Sequence, residues 1–165
     1  MILAAAIETP RLVIRPFEPS DAPVLVALFA DPQVYRFVGD GGPLSAADAA
    51  LWVERSRVNL ELHGFGTGAV VRRSGGAPIG WAGFARPGDG SEEIIYGLGA
   101  AHWGQGFGGE LLDALIAIAV ERGIAPLRAT VDPANAASIR LLTRRGFRLA
   151  ERRHGGDPDT DLYLL

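Results

Sequence analysis

Apolar and polar positions alternate along several short segments of this chain and recur with helical spacing along longer ones. The alternation predicts strands, which span Arg11–Phe17, Thr67–Arg73, Ala77–Arg86, Glu92–Gly99, Leu127–Val131, Phe147–Arg153 and Asp161–Leu164. The helical spacing predicts helices at Asp21–Ala30, Leu44–His63, Gly106–Arg122 and Asn135–Arg145. This order predicts an α/β fold with a mixed, mostly antiparallel sheet, one βαβ crossover and helices on both faces.

Residues typical of helix ends and turns support these boundaries. Ser20 and Ser45 are suited to cap the first two helices, and Gly64 is suited to end the second. The run Ser74-Gly75-Gly76 favours a hairpin turn between two strands. No repeat, linker or low-complexity segment interrupts the 165 residues, which predicts a single domain over residues 1–165.

Composition narrows the classes of function. The chain is 48% hydrophobic and 21% charged, as expected of a globular domain. Its net charge of −3 argues against nucleic acid or an anionic membrane surface as a partner. All 16 basic residues are arginine, which excludes a Walker-type phosphate loop because that loop requires lysine. The absence of cysteine excludes thiol catalysis, and the 3 scattered histidines lack the spacing of a metal site.

Targeting signals are not apparent in the sequence. The opening run Ile2–Ile7 is short and has no basic leader, unlike a secretory signal. No uncharged apolar stretch reaches the roughly 20 residues of a membrane span. We therefore expect a soluble, cytoplasmic protein.

The densest chemical signal is a glycine-rich run between a predicted strand and a predicted helix. It consists of Trp103-Gly104-Gln105-Gly106-Phe107-Gly108-Gly109-Glu110. Glycine lets the backbone approach a ligand closely, and the start of a helix adds unpaired N–H groups and a positive dipole end. Together these features predict an anion site suited to a pyrophosphate. A tightly packed loop without a ligand is the alternative interpretation.

Two classes of pyrophosphate ligand are open at this point. Gly104, Gly106 and Gly109 spell the G-x-G-x-x-G pattern of dinucleotide-binding proteins, and Asp132 follows the next predicted strand. However, Ala100 to Trp103 separate the preceding strand from the first glycine, and only one crossover unit follows. Antiparallel strands, rather than βαβ units, precede the loop. A dinucleotide such as NAD is therefore the weaker hypothesis.

The same run resembles the acyl-CoA loop of the GNAT family of N-acetyltransferases, whose usual pattern is Gln/Arg-x-x-Gly-x-Gly/Ala. The matching positions are Trp103, Gly106 and Gly108. Tryptophan departs from the general pattern but is similar to the ribosomal-protein N-acetyltransferase branch, which has W-G-x-G-[YF] followed closely by Glu. Residues 8–16 also resemble the opening strand of this branch, and residues 131–147 resemble its D-x-x-N-x-x-S…G-F segment.

The resemblance implies how acetyl-CoA would be bound. The fourth and fifth predicted strands, Glu92–Gly99 and Leu127–Val131, would splay apart, with the pantetheine arm in the gap. Backbone groups of Leu98 and Gly99 would pair with that arm, and Asn135 would bond to it while capping a helix. The residues implied to hold the pyrophosphate are Trp103, Gly104, Gln105, Gly106, Phe107, Gly108 and Gly109.

The resemblance also implies the reaction, which is acetyl transfer from acetyl-CoA to a primary amine by direct attack in a ternary complex. Glu93, on the splayed strand, is the expected base, acting through water, and Ser138 is the expected acid near the sulfur. Many relatives use a tyrosine acid where this chain has Leu142. A carboxylate paired with arginine and a helix serine bonded to its own backbone are the structural alternatives.

The acceptor stays open on sequence alone. The branch includes enzymes that act on protein N-termini and others that act on small-molecule amines. Trp81, Phe84 and Tyr96 are expected to pack in the core, with a wall of the acceptor pocket as the alternative. A non-catalytic sensor that binds acyl-CoA without turnover is the alternative function. No metal is expected, and either a monomer or a homodimer is compatible with the sequence.

Overall fold

The computed structural model describes residues 6–165, so the prediction about the Ile2–Ile7 run falls largely outside the described residues. The strands of this part are β1 (Ile7–Glu8), β2 (Leu12–Pro16), β3 (Thr67–Arg72), β4 (Gly80–Ala85), β5 (Glu93–Leu98), β6 (Arg128–Val131), β7 (Arg148–Glu151) and β8 (Asp161–Leu164). Its α-helices are α1 (Ala22–Leu28), α2 (Pro32–Tyr35), α3 (Ala46–His63), α4 (Phe107–Glu121) and α5 (Ala136–Thr143).

These strands form one mixed sheet in the order β1-β2-β3-β4-β5-β6-β8-β7. The β5–β6 pair is parallel, and the other neighbouring pairs among the described strands are antiparallel. Helix α4 connects β5 to β6 and forms the crossover. The predicted α/β class, the mostly antiparallel sheet and the βαβ crossover are therefore confirmed.

The structure differs from the predicted boundaries in the first half of the chain. Pro19–Asp21 form a 3-10 turn before α1, so the helix predicted over Asp21–Ala30 is shorter. The elements β1 and α2 are absent from the prediction because each is too short to produce a periodic pattern. Strand β4 begins at Gly80 rather than Ala77, since Pro78 has no N–H to give to a ladder.

Helices cover both faces of the sheet, as predicted. Helices α1 and α3 bury one face, where the core residues include Phe17, Leu25, Phe29, Val53, Ala69 and Trp81. Helices α4 and α5 bury the other face, where the core residues include Val70, Phe84, Ile94, Leu111, Leu112, Leu115 and Leu142. The sheet therefore lies between two layers of helices, and a gap between its strands connects the two hydrophobic cores.

Helix α3 begins at Ala46, two residues after the predicted Leu44, and ends at His63 as predicted. The Ser45 hydroxyl oxygen accepts a hydrogen bond from the N–H of Asp48 at 3.0 Å. Gly64 ends the helix, and its N–H bonds to the carbonyl of Leu60. These contacts fix the two ends of the helix. Its packing on the sheet is shown by Trp52, whose ring centroid lies 5.8 Å from that of Trp81 on β4.

Strands β5 and β6 begin side by side and then separate. Their register contains the pair Glu93–Arg128 and no further pair. On its other edge β5 pairs with β4 from Glu93 to Leu98, and β6 pairs with β8 from Arg128 to Val131. Each strand therefore keeps a full ladder on one side while the gap between them opens, which confirms the predicted splay.

A buried ion pair fastens the turn before α1 to β2. Arg15 donates two hydrogen bonds to the carboxylate of Asp21, at 2.7 and 2.9 Å, and the N–H of Glu18 adds a third at 2.8 Å. Burial alone would raise the pKa of Asp21, but these bonds and the charge of Arg15 hold that pKa below its usual value. The ionised form of Asp21 is therefore the one that stabilises the fold.

We expect Asp21→Asn to lower the free energy of unfolding by about 1.5–3 kcal/mol at neutral pH, because it leaves Arg15 without its charged partner. Since the folded pKa is depressed, the contribution is complete above the ordinary aspartate value of about 3.9 and is lost as the pH falls below it. Urea denaturation at several pH values measures this difference.

The matched control for this prediction is Asp159→Asn, which changes an exposed carboxylate whose side chain makes no ion pair with the described residues. It should leave the unfolding free energy unchanged. Equal effects of the two variants at neutral pH, or a difference that grows on acidification, would contradict the assigned role of Asp21.

Candidate active site

The gap between β5 and β6 opens into a cleft of about 960 Å³. One end is bounded by the glycine-rich loop and the first turn of α4. The other end is bounded by residues 32–39, which include α2, and by Trp52 and Trp81. The two ends belong to one continuous cavity, so a ligand held at the loop can reach a second molecule at the far end.

The glycine-rich loop presents free backbone N–H groups at the start of α4. Gly106 is the N-cap residue with φ +81°, a left-handed conformation that glycine adopts without strain. No side chain caps this helix. The N–H groups of Phe107, Gly108 and Gly109 precede the first helical bond, which runs from Glu110 to Gly106. Unpaired N–H groups at the positive end of a helix dipole form a site for a phosphate.

A clasp formed by Thr9, Arg11 and Glu110 joins the loop to the beginning of β2. Glu110 accepts bonds from the N–H and the Nε of Arg11, at 2.8 and 2.7 Å, and one from the hydroxyl of Thr9. Arg11 also donates to the carbonyl of Gln105 at 2.9 Å and lies 4.4 Å above the Phe107 ring. These contacts fix the loop on both sides of Gly106, at Gln105 before it and at Phe107 and Glu110 after it.

Two further arginines lie beside the loop. Arg145 forms an ion pair with Asp113, and its Nη2 is 2.6 Å from where a Cβ on Gly109 would lie. Arg72 contacts His102 at 3.2 Å, and burial together with the charge of Arg72 lowers the pKa of that histidine. Guanidinium groups from three separate parts of the chain therefore lie beside the loop; those of Arg11 and Arg145 are paired with carboxylates, and that of Arg72 forms no ion pair with residues 6–165.

The structure brings most of the predicted loop residues to the cleft but corrects two positions. Leu98, Trp103, Gly104, Gly106, Phe107, Gly108 and Gly109 line the cavity. Gln105 does not, because its carbonyl bonds to Arg11 and its side chain to the carbonyl of Ala101. Gly99 is also withdrawn, since its N–H bonds to Ile79 and its carbonyl to the N–H of His102. The expected free backbone groups at Gly99 are therefore not there.

Leu98 keeps one backbone group directed at the gap. Because the N–H of Gly99 bonds to β4, strand alternation turns the N–H and carbonyl of Leu98 to the opposite edge of β5. The carbonyl accepts the indole N–H of Trp103 at 2.9 Å. This bond explains the tryptophan at that position, and it leaves the Leu98 N–H as the free donor beside β6.

Asn135 and Ser138 lie on the opposite wall, at the start of α5. The side-chain oxygen of Asn135 caps the helix by accepting the N–H of Ser138 at 3.2 Å. The amide nitrogen of Asn135 has no partner among residues 6–165 and remains available to the cleft. Ser138 faces the cavity, where its hydroxyl lies 2.8 Å from that of Tyr96 on β5. The helix-cap and cleft-lining roles expected for Asn135 thus coexist.

Glu93 lies at the narrow end of the splay, next to the last paired residues of β5 and β6. One carboxylate oxygen accepts from Arg86 and the other from the hydroxyl of Thr130. The side chain is buried but belongs to the cavity wall. Both oxygens therefore already have a hydrogen-bond donor within the protein, as is usual for a buried structural carboxylate. The assignment of Glu93 as base stays a prediction, and its contacts favour the arginine-paired alternative.

Three aromatic rings line the far end of the cleft. The indole of Trp81 packs against Gly97, where an added Cβ would be 2.1 Å from the ring. Trp52 and Phe37 complete this wall, and Arg36 lies 4.8 Å from the Phe37 ring.

No cluster of metal-ligating side chains occurs in the described part of the chain. None of the helices described is long and apolar enough to cross a membrane.

Comparison with known families shows to which family the chain belongs. The family model of the acetyltransferase (GNAT) domain matches residues 11–148. The chain belongs to the GNAT acetyltransferase family. The sheet topology agrees, because antiparallel strands precede the one crossover of this GNAT fold. The dinucleotide-binding alternative is therefore set aside.

Individual GNAT relatives extend this finding. The chain is 34% identical to L-2,4-diaminobutyric acid acetyltransferase from Streptomyces coelicolor over 145 residues, covering 76% of this chain and 82% of the relative. The structure of an acetyltransferase from Agrobacterium tumefaciens superposes with TM-score 0.80 at 27% identity, covering 98% and 94% of the two chains. RimL, a ribosomal L7/L12 alpha-N-protein acetyltransferase solved with coenzyme A, superposes with TM-score 0.79 at 19% identity over 98% and 97%. That likeness shows the same fold.

We expect Glu110→Gln to loosen the GNAT loop, because a neutral amide cannot hold Arg11 and Thr9 as the carboxylate does. Backbone amides of residues 104–109 should exchange with deuterium faster, and the melting temperature should fall. Glu121→Gln, an exposed carboxylate at the end of the same helix, is the matched control. Unchanged exchange in the loop of a folded Glu110→Gln protein would show that the clasp does not position it.

Proposed function

We propose that this protein is an acetyl-CoA-dependent N-acetyltransferase that acetylates a primary amine by direct attack. The observation that carries the proposal is the single cavity that joins a phosphate-binding loop to an aromatic end. Acetyl-CoA needs an anion site for its pyrophosphate and an extended channel for its pantetheine arm. The unpaired edge of β5 supplies such a channel, because an extended ligand can pair with it like an added strand.

The residues that would bind acetyl-CoA act at successive points along the cleft. The N–H groups of Phe107, Gly108 and Gly109 would hold the pyrophosphate. The free amide nitrogen of Asn135 would donate to a carbonyl of the pantetheine arm. The Leu98 N–H would then face the thioester carbonyl, where negative charge develops as the amine attacks.

The reaction exchanges one bond for another at the acetyl carbon. The neutral amine nitrogen forms the C–N bond, the C–S bond breaks, and its electron pair goes to the sulfur. A thiol has a reference pKa of about 8.5, so the thiolate leaves without full protonation. The Ser138 hydroxyl would face this sulfur, and the amine proton would pass to water.

The acceptor is a primary amine, on a small molecule or at a protein N-terminus. The activities of two similar proteins support this range: diaminobutyric acid acetylation by a relative and N-terminal protein acetylation by a protein of the same fold. A cytoplasmic location and a monomer or homodimer complete the proposal.

Turnover of acetyl-CoA against a panel of amines, amino acids and N-terminal peptides tests the proposed function. Binding of acetyl-CoA without turnover of any amine would instead support the sensor function.

We expect Gly106→Ala to weaken coenzyme A binding by about tenfold or more, which corresponds to about 1.4 kcal/mol. An alanine at φ +81° is strained, and its Cβ would lie 3.3 Å from Nη2 of Arg11, so the N–H groups after it would shift. Titration calorimetry with coenzyme A measures the change.

Gly123→Ala is the matched control for Gly106→Ala, because Gly123 has φ +69° but lies outside the cleft with nothing within 4 Å of its Cβ position. Both variants should lose similar stability, and only the first should lose affinity. Equal coenzyme A affinity in the two folded variants would refute the proposed role of the loop.

We expect Glu93→Gln to lower the melting temperature while the pH dependence of kcat keeps its position. An amide would weaken the contact with Arg86, but no proton transfer would be lost if Glu93 closes the narrow end of the splay. Glu92→Gln, at the preceding residue in the chain, controls for the loss of charge. Should the rate of Glu93→Gln instead recover only as the pH rises towards the pKa of the amine, the base role predicted from sequence would be restored.

A further inference from the structure

A pair of hydroxyl groups spans the floor of the cleft. Tyr96 Oη on β5 and Ser138 Oγ on α5 lie 2.8 Å apart, although 42 residues separate them in the chain. Neither hydroxyl bonds to any other residue within the part of the chain that the structure describes. The contact joins the two walls that the splay separates, at the position where the thioester of acetyl-CoA would lie.

Each residue is fixed in place by other contacts, so the hydroxyl pair is not needed to hold either wall. The ring of Tyr96 packs against the core beneath α4, and Tyr96 lies opposite Ala82 within the β4–β5 ladder. The N–H of Ser138 is bonded to the cap residue Asn135. The Oγ of Ser138 remains free to bond in two directions, to Tyr96 and into the cavity.

The direction of the hydrogen bond follows from acidity. A phenol, with a reference pKa of about 10, is a stronger donor than an aliphatic alcohol. Burial raises the pKa of Tyr96 further, against smaller opposing effects of Ser138 and Arg145, so the phenol stays protonated at neutral pH. The greater acidity of a phenol favours Tyr96 as the donor to Ser138 Oγ, and in that arrangement the proton of Ser138 points into the cleft.

We propose that Tyr96 is a positioning residue for acetyl transfer: its hydroxyl orients the Ser138 O–H towards the leaving sulfur. The inference rests on the proposed function and adds a second residue to its leaving-group site. The bond from Tyr96 also polarises the Ser138 hydroxyl, which strengthens its donation as negative charge accumulates on sulfur.

The acidities decide how far the proton moves. Moving a proton from a phenol of pKa about 10 to a thiolate of pKa about 8.5 is unfavourable, and from an alcohol it is more so. Neither hydroxyl therefore gives up its proton. The C–S electron pair stays on sulfur, the thiolate is held by the Ser138 hydrogen bond, and it takes a proton from water after release.

A double-mutant cycle tests the proposal on the full-length protein with acetyl-CoA and an amine that the wild type acetylates. Ser138→Ala should lower kcat about tenfold, because the sulfur loses a hydrogen bond as its negative charge develops. Tyr96→Phe, which keeps the packed ring, should lower kcat about 3- to 10-fold. The double variant should be no slower than Ser138→Ala, because Tyr96 acts through Ser138. The KM for acetyl-CoA should stay within about twofold, as expected for an interaction made in the transition state.

Tyr163→Phe is the matched control, since it removes a hydroxyl on β8 that bonds to no other described residue and lies outside the cleft. It should retain the wild-type kcat. Melting temperatures measured on all variants distinguish a loss of folded protein from a loss of catalytic rate.

Additive losses in the double variant would overturn the inference, because they would show that Tyr96 acts independently of Ser138. An unchanged kcat of Tyr96→Phe would also overturn it while leaving the proposed function standing. A wild type that turns over no amine would overturn both.

Discussion

The backbone ladder between β5 and β6 stops after one register pair, and the rest of the structure depends on this constraint. Beyond Glu93 and Arg128, β5 and β6 face each other without pairing. Unpaired backbone groups inside a sheet are normally unfavourable. Here the separation persists because each strand is fully paired on its other edge, β5 with β4 and β6 with β8. The gap is therefore a stable part of the fold, and the groups it exposes are those that an extended ligand can satisfy.

The permanently charged cationic side chains around this gap are arginines, because the chain contains no lysine. Arg11 is fixed by Glu110, and Arg145 by Asp113, so the cations beside the loop have set positions rather than mobile ones. The planar guanidinium suits this arrangement, since it can bond to a carboxylate on one edge and still present donors on another. Electrostatic attraction for an anion is thus combined with a rigid loop.

Features that depend on neighbours in the sequence are predictable, and those that depend on distant partners are not. The cap at Ser45 and the glycine-rich run before α4 are local, and both lie where the sequence places them. Arg11 and Glu110 are 99 residues apart, so no periodic pattern indicates their clasp. Residue type alone also gives Glu93 the chemistry of a base, whereas Arg86 and Thr130, which occupy its oxygens, become visible only in three dimensions.

The missing side chain at Gly97 restricts the order in which the aromatic end of the cleft can be altered. The indole of Trp81 occupies the volume that a larger residue at position 97 would need. Trp81 is itself held by Trp52 and Phe29, so it cannot simply turn aside. A substitution at Gly97 that is harmful beside Trp81 becomes acceptable once a smaller residue stands at position 81, which makes the effects of the two positions non-additive. Selection or design that reshapes this end must therefore change position 81 before position 97.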